Sequence, residues 1–391
     1  MVHTLQERAF KPLQPQQDEW TNWRWQQTNA VRNMQGLRRW FPELDDESSS
    51  RIEENMKFVR FQATPYLLSL VKRDGRNAPL KDDPIWRTYF PTYSPPKSTQ
   101  TLGNVLADNW ELPEDMINPI LQHKYESRVG LRMQNRCLAY CGYCFEAKRV
   151  LDPHSKVGQF RDSLFLDALN YISKRPFIHE VVLSGGEPLT MSNDKLGKIL
   201  HSIRALPQVK AVRIQTRAFT QNPFRLDEGL INLLIKYKVV AIGMHIAHPS
   251  EITKDFDDVL RRFSMSGYRG LILGQIPLLK GINDSVDILE DLLMKLYSRS
   301  VKPYYFLHPM PETPGAESFR TSVRVGVNLM RNLRRRISNP ALPEYVIVHK
   351  NGKHTVPMEL DGTSEFQYVS DRLIRFRNWK GEWCEYIDAP S

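Results

Sequence analysis

Three of the four cysteines in this 391-residue chain stand close together, as Cys137-Leu-Ala-Tyr-Cys141-Gly-Tyr-Cys144. The spacing is C-x3-C-x2-C. Three thiolates on one short loop can ligate three irons of a 4Fe–4S cluster, which leaves the fourth iron without a protein ligand and open to a substrate. Zinc is the alternative, but it usually takes a fourth Cys or His at matched spacing, and none lies nearby. A secreted disulfide framework would spread its cysteines to staple distant segments. Here the remaining one, Cys384, stands alone near the C-terminus. The pattern points to a metal or cluster site in a reducing compartment.

The cysteine loop directly follows a β-rich run at 129–134. Further runs lie at 180–184, 211–216, 239–246, 270–279 and 303–308, with helical patterns near 160–174, 194–205, 227–237, 251–266 and 285–299. Six strands joined by helix-length crossovers demand a parallel sheet, because parallel neighbours need a crossover, and the connections should be right-handed. Six units are fewer than the eight of a closed barrel. The expected fold is therefore α/β, an open, partial (β/α)6 TIM-like barrel of parallel strands over 126–310. Barrel enzymes place catalysis on loops at the C-terminal ends of the strands, and the cysteine loop sits at such an end.

Two further regions flank it. Over 1–125 an N-terminal helical region is expected, with Trp20, Trp23, Trp25, Val31, Met34, Leu37, Trp40 and Phe41 near helical spacing as packing core. Asp45, Asp46 and Ser48–Ser50 look like a cap before a helix at about 50–61. A Pro-rich connection with Pro79, Pro84, Pro91, Pro95 and Pro96 follows. Over 311–391 a C-terminal extension is expected to hold one long helix at about 317–338, a strand at 345–350, a loop at 351–357 and a hairpin around 373–386. Arg331, Arg334, Arg335 and Arg336 near the end of that helix fit cation placement against its dipole.

Composition excludes several classes. Hydrophobic residues make up 41% and charged residues 25%, which rules out a fully disordered or collagen-like chain. No apolar run approaches the ~18 residues that span a bilayer. Residues 1–18 are polar and show no secretory core, so a cytoplasmic location and no membrane partner are expected. Lys plus Arg exceed Asp plus Glu by 54 to 44. That excess is diffuse, and nucleic acid is not expected as the main partner.

The cysteine spacing, with Tyr143 at the aromatic position before Cys144, resembles the signature of the radical S-adenosylmethionine (SAM) superfamily. The resemblance implies that the open iron binds SAM and that electron transfer from the cluster yields a radical able to abstract hydrogen. So reactive a species needs a dry interior. Val181-Val-Leu-Ser-Gly185-Gly186-Glu187-Pro188 ends the second expected strand and supports the likeness. Gly185 and Gly186 let the backbone approach a ligand closely, and Glu187 can accept from the SAM ammonium.

The likeness narrows to the lysine 2,3-aminomutase family, as a divergent member, over about 20–388. It is carried by Trp20-Thr-Asn-Trp23-Arg-Trp25, Thr64-Pro65-Tyr66, Val212-Arg213-Ile-Gln-Thr216-Arg217, His245-Ile-Ala-His248-Pro249, Leu279-Lys-Gly281-Ile-Asn283-Asp284, Val301-Lys-Pro303-Tyr304-Tyr305, Glu317-Ser-Phe319-Arg320 and Gly352-Lys353. It implies that Thr216, His245 and Gln275 line the SAM site. It implies pyridoxal phosphate (PLP) as a further cofactor, with Lys353 as its catalytic lysine. Lys124 and Arg128 match basic positions near the PLP phosphate, where charge-assisted contacts are strong. An amino acid or amino acid-derived substrate, an external electron donor such as flavodoxin or ferredoxin, and a homo-oligomer are implied as partners.

The departures bear on the substrate. Where the family has a carboxylate-clamping arginine, this chain has Glu146 after Phe145, and an acid does not replace a bidentate arginine. Two aspartates that hold the ε-ammonium of lysine in the family match Pro311 and Val348 here, and a buried unpaired ammonium is costly. The run before Lys353 is reduced to His349-Lys350-Asn351-Gly352, and of a late cysteine cluster only Cys384 remains. The expected function is therefore a PLP-dependent radical SAM 2,3-aminomutase acting on a substrate other than free L-lysine. The alternative is a radical SAM epimerase, dehydrogenase or modifying enzyme without amino migration.

Overall fold

The alternation of short β-branched runs with amphipathic segments produces crossover units in the computed structural model, which describes residues 15–93, 112–152, 158–358, 366–378 and 380–390. Six strands pair in parallel in chain order: β3 (Arg128–Arg132), β4 (Glu180–Ser184), β5 (Ala211–Thr216), β6 (Ala241–His245), β7 (Leu271–Pro277) and β8 (Lys302–His308). Among the described residues the sheet extends at both edges. Strands β1 (Met116–Asn118) and β2 (Leu121–Tyr125) add antiparallel before β3. Strand β9 (Glu344–His349) adds parallel to β8, and β10 (Gly352–Thr355) returns antiparallel. The expected six-unit, incomplete barrel is thus present, with extra strands on its rims.

Each crossover helix turns one apolar stripe to the sheet. The helix Asp162–Ser173 buries Phe165, Ala168 and Ile172, and Lys254–Met265 buries Phe256, Val259 and Phe263. Burial of such side chains stabilises by about 1.5–3 kcal/mol each. Side-chain oxygens cap the starts: Ser192, Asp227, Thr253 and Ser285 each accept from a backbone N–H three residues on.

The N-terminal helices pack as a separate aromatic cluster. Trp20, Trp23, Trp40 and Phe41 are buried in it with Trp86 and Phe90, whose rings stack at 4.1 Å. The tryptophans are packing core, as their spacing suggests. This region is tied to the barrel through Thr64 Oγ1, which donates to the Gln221 carbonyl at 2.6 Å, and Asn222 Nδ2, which donates to the Trp23 carbonyl at 3.1 Å.

Three expectations are corrected. The helix placed at 50–61 runs from Asp46 to Met56, because Asp45 alone caps it and Ser48–Ser50 lie inside. The long helix at 317–338 is broken into Ala316–Phe319 and Val323–Arg336. Ser322 caps the second piece, and Asp388 from the chain's end accepts from the Val323 N–H at 2.8 Å. The segment read as a loop at 351–357 is largely strand β10, paired with β9 from Gly352↔His349 to Thr355↔Val346. The expected hairpin is present as β12 (Leu373–Arg377) and β13 (Trp383–Ile387), with a third strand, β11 (Phe366–Tyr368), beside β12. Pro95, Pro96 and residues 1–14 lie outside the described residues. No helix of the described residues is long and apolar enough to cross a membrane.

Candidate active site

Parallel strands deliver their C-terminal ends to one rim, and the curled sheet encloses a cavity of about 360 Å³. That size is typical of a small-molecule site. Every candidate residue from the sequence lines it: Cys137, Cys141, Tyr143, Cys144, Gly185, Gly186, Glu187, Thr216, His245, Gln275, Lys124, Arg128 and Lys353. Cys384 does not; it is buried in β13, where its sulfur accepts from Asn351 Nδ2 at 3.0 Å.

The three thiols line the same cavity. Burial pushes each thiol pKa up, and for Cys137 and Cys144 the charge of a neighbouring cysteine pushes the same way. Left alone they would stay protonated and inert. Drawing them out as thiolates requires a strong positive centre among them, which an iron–sulfur core provides. Three thiols on one loop suit a multinuclear group, each thiol taking a different metal atom.

The glycine pair is shaped by what it must pass. Gly186 has φ of 44°, and a Cβ there would lie 2.6 Å from the carbonyl oxygens of both Arg136 and Gln134, beside the cysteine loop. Neither backbone atom can swing aside. We expect Gly186→Ala to lower the unfolding free energy by roughly 1–3 kcal/mol or more. The check is the urea midpoint, and an unchanged midpoint contradicts the close packing.

Glu187 is buried, and its carboxylate is nearly saturated. Oε1 accepts from Thr216 Oγ1 at 2.8 Å and Leu189 N at 3.0 Å, and Oε2 accepts from Arg217 N at 2.8 Å. A carboxylate offers about four acceptor positions, so one is left for a ligand. Burial pushes its pKa up, and these bonds pull it back. Gln275 Nε2 donates to Gln215 Oε1 across Gly243. His245 is held neutral, its pKa lowered to about 3 by burial and by the charges of Arg217 and Lys353. It therefore stands within electrostatic reach of both ends of the cavity.

The second cluster of chemistry is centred on Lys353. Its backbone N–H donates to Tyr125 Oη at 2.8 Å, and its ammonium lies 4.4 Å from the Tyr305 ring centroid. The residue is exposed by surface area and lines the cavity. Desolvation of its amine, with Arg213 and Arg128 adding repulsion, brings its pKa down to about 7. The Arg128 guanidinium stacks 3.9 Å over Tyr125. A lysine amine with a depressed pKa, an arginine lining the same space and the tyrosines Tyr125, Tyr304 and Tyr305 fit an aldehyde cofactor that carries a phosphate. Lys124 is engaged otherwise: it pairs with Asp115 at 3.4 Å and donates to the Lys350 carbonyl. It holds the hairpin that carries Lys353.

Glu146, which stands where the family has a carboxylate-clamping arginine, is engaged by other residues of the chain. It is buried and paired with Arg132 Nε at 3.2 Å and Arg149 Nη1 at 3.4 Å. Its charge is answered within the protein, so it does not confront a substrate carboxylate as a bare acid. Sequence reasoning also gave no role to Arg217, to Tyr89 and Glu251, or to Arg132. The one signal was Arg217 immediately after Thr216 at a strand end.

Comparison with known proteins agrees with this geometry. A family model described as the radical SAM superfamily matches residues 131–292. The chain is 32% identical to L-lysine 2,3-aminomutase of Clostridium subterminale over 378 residues, 95% of this chain and 85% of that protein. It is 30% identical to L-lysine 2,3-aminomutase of Fusobacterium nucleatum subsp. nucleatum over 382 residues, 96% and 84% of the two. It is 26% identical to glutamate 2,3-aminomutase of Clostridioides difficile over 394 residues, 100% of this chain and 88% of that one.

Proposed function

The chain belongs to the L-lysine 2,3-aminomutase family of radical SAM enzymes, as a divergent member, and from that premise we propose that it is a PLP-dependent 2,3-aminomutase whose substrate is an amino acid other than free L-lysine. The observation that carries the reading is Lys353. Its amine, with a pKa of about 7, opens into the same cavity as Cys137, Cys141 and Cys144. Bound there, the cluster and SAM supply a hydrogen-abstracting radical, and PLP supplies an electron-withdrawing ring. An external one-electron donor such as flavodoxin or ferredoxin belongs to this reading.

The protein's own residues divide the work. Cys137, Cys141 and Cys144 hold the cluster. Glu187 keeps one acceptor position for the SAM ammonium, its other positions locked by Thr216, Leu189 and Arg217. Neutral His245 and the Gln215–Gln275 pair complete the wall. Lys353 would present its amine to PLP, Arg128 would offer charge to its phosphate, and Tyr125, Tyr304 and Tyr305 would line its place in the cavity.

The acid inventory supports a substrate without a cationic side chain. Among the described residues the cavity is lined by only two carboxylates, Glu146 and Glu187, and both are bonded within the protein. Val348 lines the cavity, and Pro311 does not. An ammonium buried there would lack a counter-charge, a cost of several kcal/mol.

The test uses anaerobically reconstituted protein. After incubation with PLP and reduction by borohydride, peptide mass spectrometry should find a phosphopyridoxyl mass on Lys353. Against a panel of amino acids, lysine should turn over far more slowly than a neutral or acidic one. Protein that holds its cluster but takes up no PLP overturns the aminomutase reading and leaves hydrogen abstraction without migration. Conversion of lysine to β-lysine at rates typical of enzymes, roughly 1–10³ s⁻¹, overturns the substrate argument.

A further inference from the structure

Among the described residues the Arg217 guanidinium makes no direct ion pair to a carboxylate. Its Nη1 donates to Tyr89 Oη at 2.6 Å and to Cys141 Sγ at 3.1 Å, and its Nη2 donates to Tyr143 Oη. Glu251 stands behind Tyr89, whose hydroxyl donates to Glu251 Oε2 at 3.0 Å. The backbone beneath is fixed, because the Arg217 N–H is bonded to Glu187. The two phenols hold the guanidinium like a bracket, with the rings of Tyr89 and Tyr143 at 5.3 and 5.4 Å. Neutral phenols do not balance a buried positive charge. Charge reaches it from Glu251 behind Tyr89 and, once Cys141 is a thiolate ligand, from the sulfur.

We propose that Arg217 is a positioning residue that sets the reduction potential of the cluster held by Cys137, Cys141 and Cys144, through its N–H···S contact to Cys141. The inference rests on reading those thiols as cluster ligands. On reduction the cluster gains one electron from an external donor, and no proton moves. The reduced form carries one more negative charge, spread over iron and sulfur. A fixed cation and a hydrogen bond at one ligand sulfur stabilise that form more than the oxidised one, which shifts the potential upward; hydrogen bonds to sulfur and net charge are established determinants of cluster potential. Arg217 belongs to the strand-end residue pair Thr216-Arg217, so the segment that orients Glu187 also holds the charge against Cys141. The opposing reading is that Arg217 only fastens the N-terminal helices to the barrel through Tyr89. That role would change stability and leave the potential alone.

The experiment is a redox titration followed by electron paramagnetic resonance, with dithionite as reductant, on anaerobically reconstituted full-length protein. Iron, sulfide and far-ultraviolet circular dichroism are measured on the same samples. Arg217→Met should keep wild-type iron and sulfide and become half-reduced at a more negative potential. Arg217→Lys, which keeps the charge but loses the planar fork, should fall between the two. Unchanged potential in Arg217→Met with full cluster content overturns the proposal. If Arg217→Met fails to fold or to load, the double variant Tyr89→Phe/Tyr143→Phe decides. It keeps the cation but removes its bracket, and should shift the potential in the same direction by a smaller amount; no shift overturns the proposal. Wild-type protein that binds no iron overturns instead the reading of the three thiols, a separate failure visible before any titration begins.

Discussion

Replacing Cys141 by alanine should strip the protein of its cluster and of all SAM cleavage. Cys141 is one of three thiols on a single loop, and its sulfur is the one contacted by Arg217. Removing it leaves two ligands for a group that uses three and leaves a guanidinium facing an apolar gap. The loss of 5′-deoxyadenosine formation should exceed the ~10–100-fold typical of losing a residue that only orients a ligand. Cys384→Ala is the internal control, since that sulfur lies in β13 and off the cavity. Iron and sulfide analysis, with circular dichroism to show that the fold persists, reads the result. Full cluster content in Cys141→Ala contradicts the ligand assignment.

The second large effect is expected at Lys353. Lys353→Ala should abolish PLP retention and amino migration, while the cluster and reductive SAM cleavage remain, because the cysteines and Lys353 sit on different segments. The pH dependence carries the sign. Capture of PLP requires the neutral amine. A folded-state pKa of about 7 lies below the ordinary value near 10.4, so the amine deprotonates early. At pH 7 about half of it is neutral, against roughly one part in a few thousand for an unperturbed lysine. The rate of PLP capture should therefore rise up to pH ~7 and level off by about pH 8. An ordinary lysine would keep gaining to pH ~10. A capture rate still climbing tenfold per pH unit above 8, or PLP retained by Lys353→Ala, contradicts the assignment.

Much of this was legible in the chain because it is written locally. The cysteine spacing, the Gly-Gly-Glu-Pro run and the strand-end positions of Thr216 and His245 each occupy a few adjacent residues. The alternation of strand and helix patterns forces parallel pairing without any knowledge of distant contacts. What was not legible depends on residues far apart in sequence. The bracket around Arg217 takes one phenol from residue 89 and another from 143, and its acid from 251. The charge of Glu146 is answered by Arg132, which no spacing rule links to the cysteine loop. The break in the C-terminal helix is stabilised by Asp388, 65 positions beyond Val323. The β10 hairpin hid for a different reason: its Asn351-Gly352 pair sits one position late, so Lys350-Asn351 form the turn and Gly352 already pairs with His349.

The hairpin's attachment has a consequence for how the molecule is made. The two edges of the sheet are joined by contacts that include Lys124 to the Lys350 carbonyl and the Lys353 N–H to Tyr125. These join residues 226 and 228 positions apart. At a synthesis rate of about 5–20 residues per second, roughly 10–50 s separate the emergence of one side of this seam from the other. During that interval the cysteine loop already exists, while the wall carrying Lys353 does not. The cysteine loop therefore spends that interval without the wall that Lys353 later supplies.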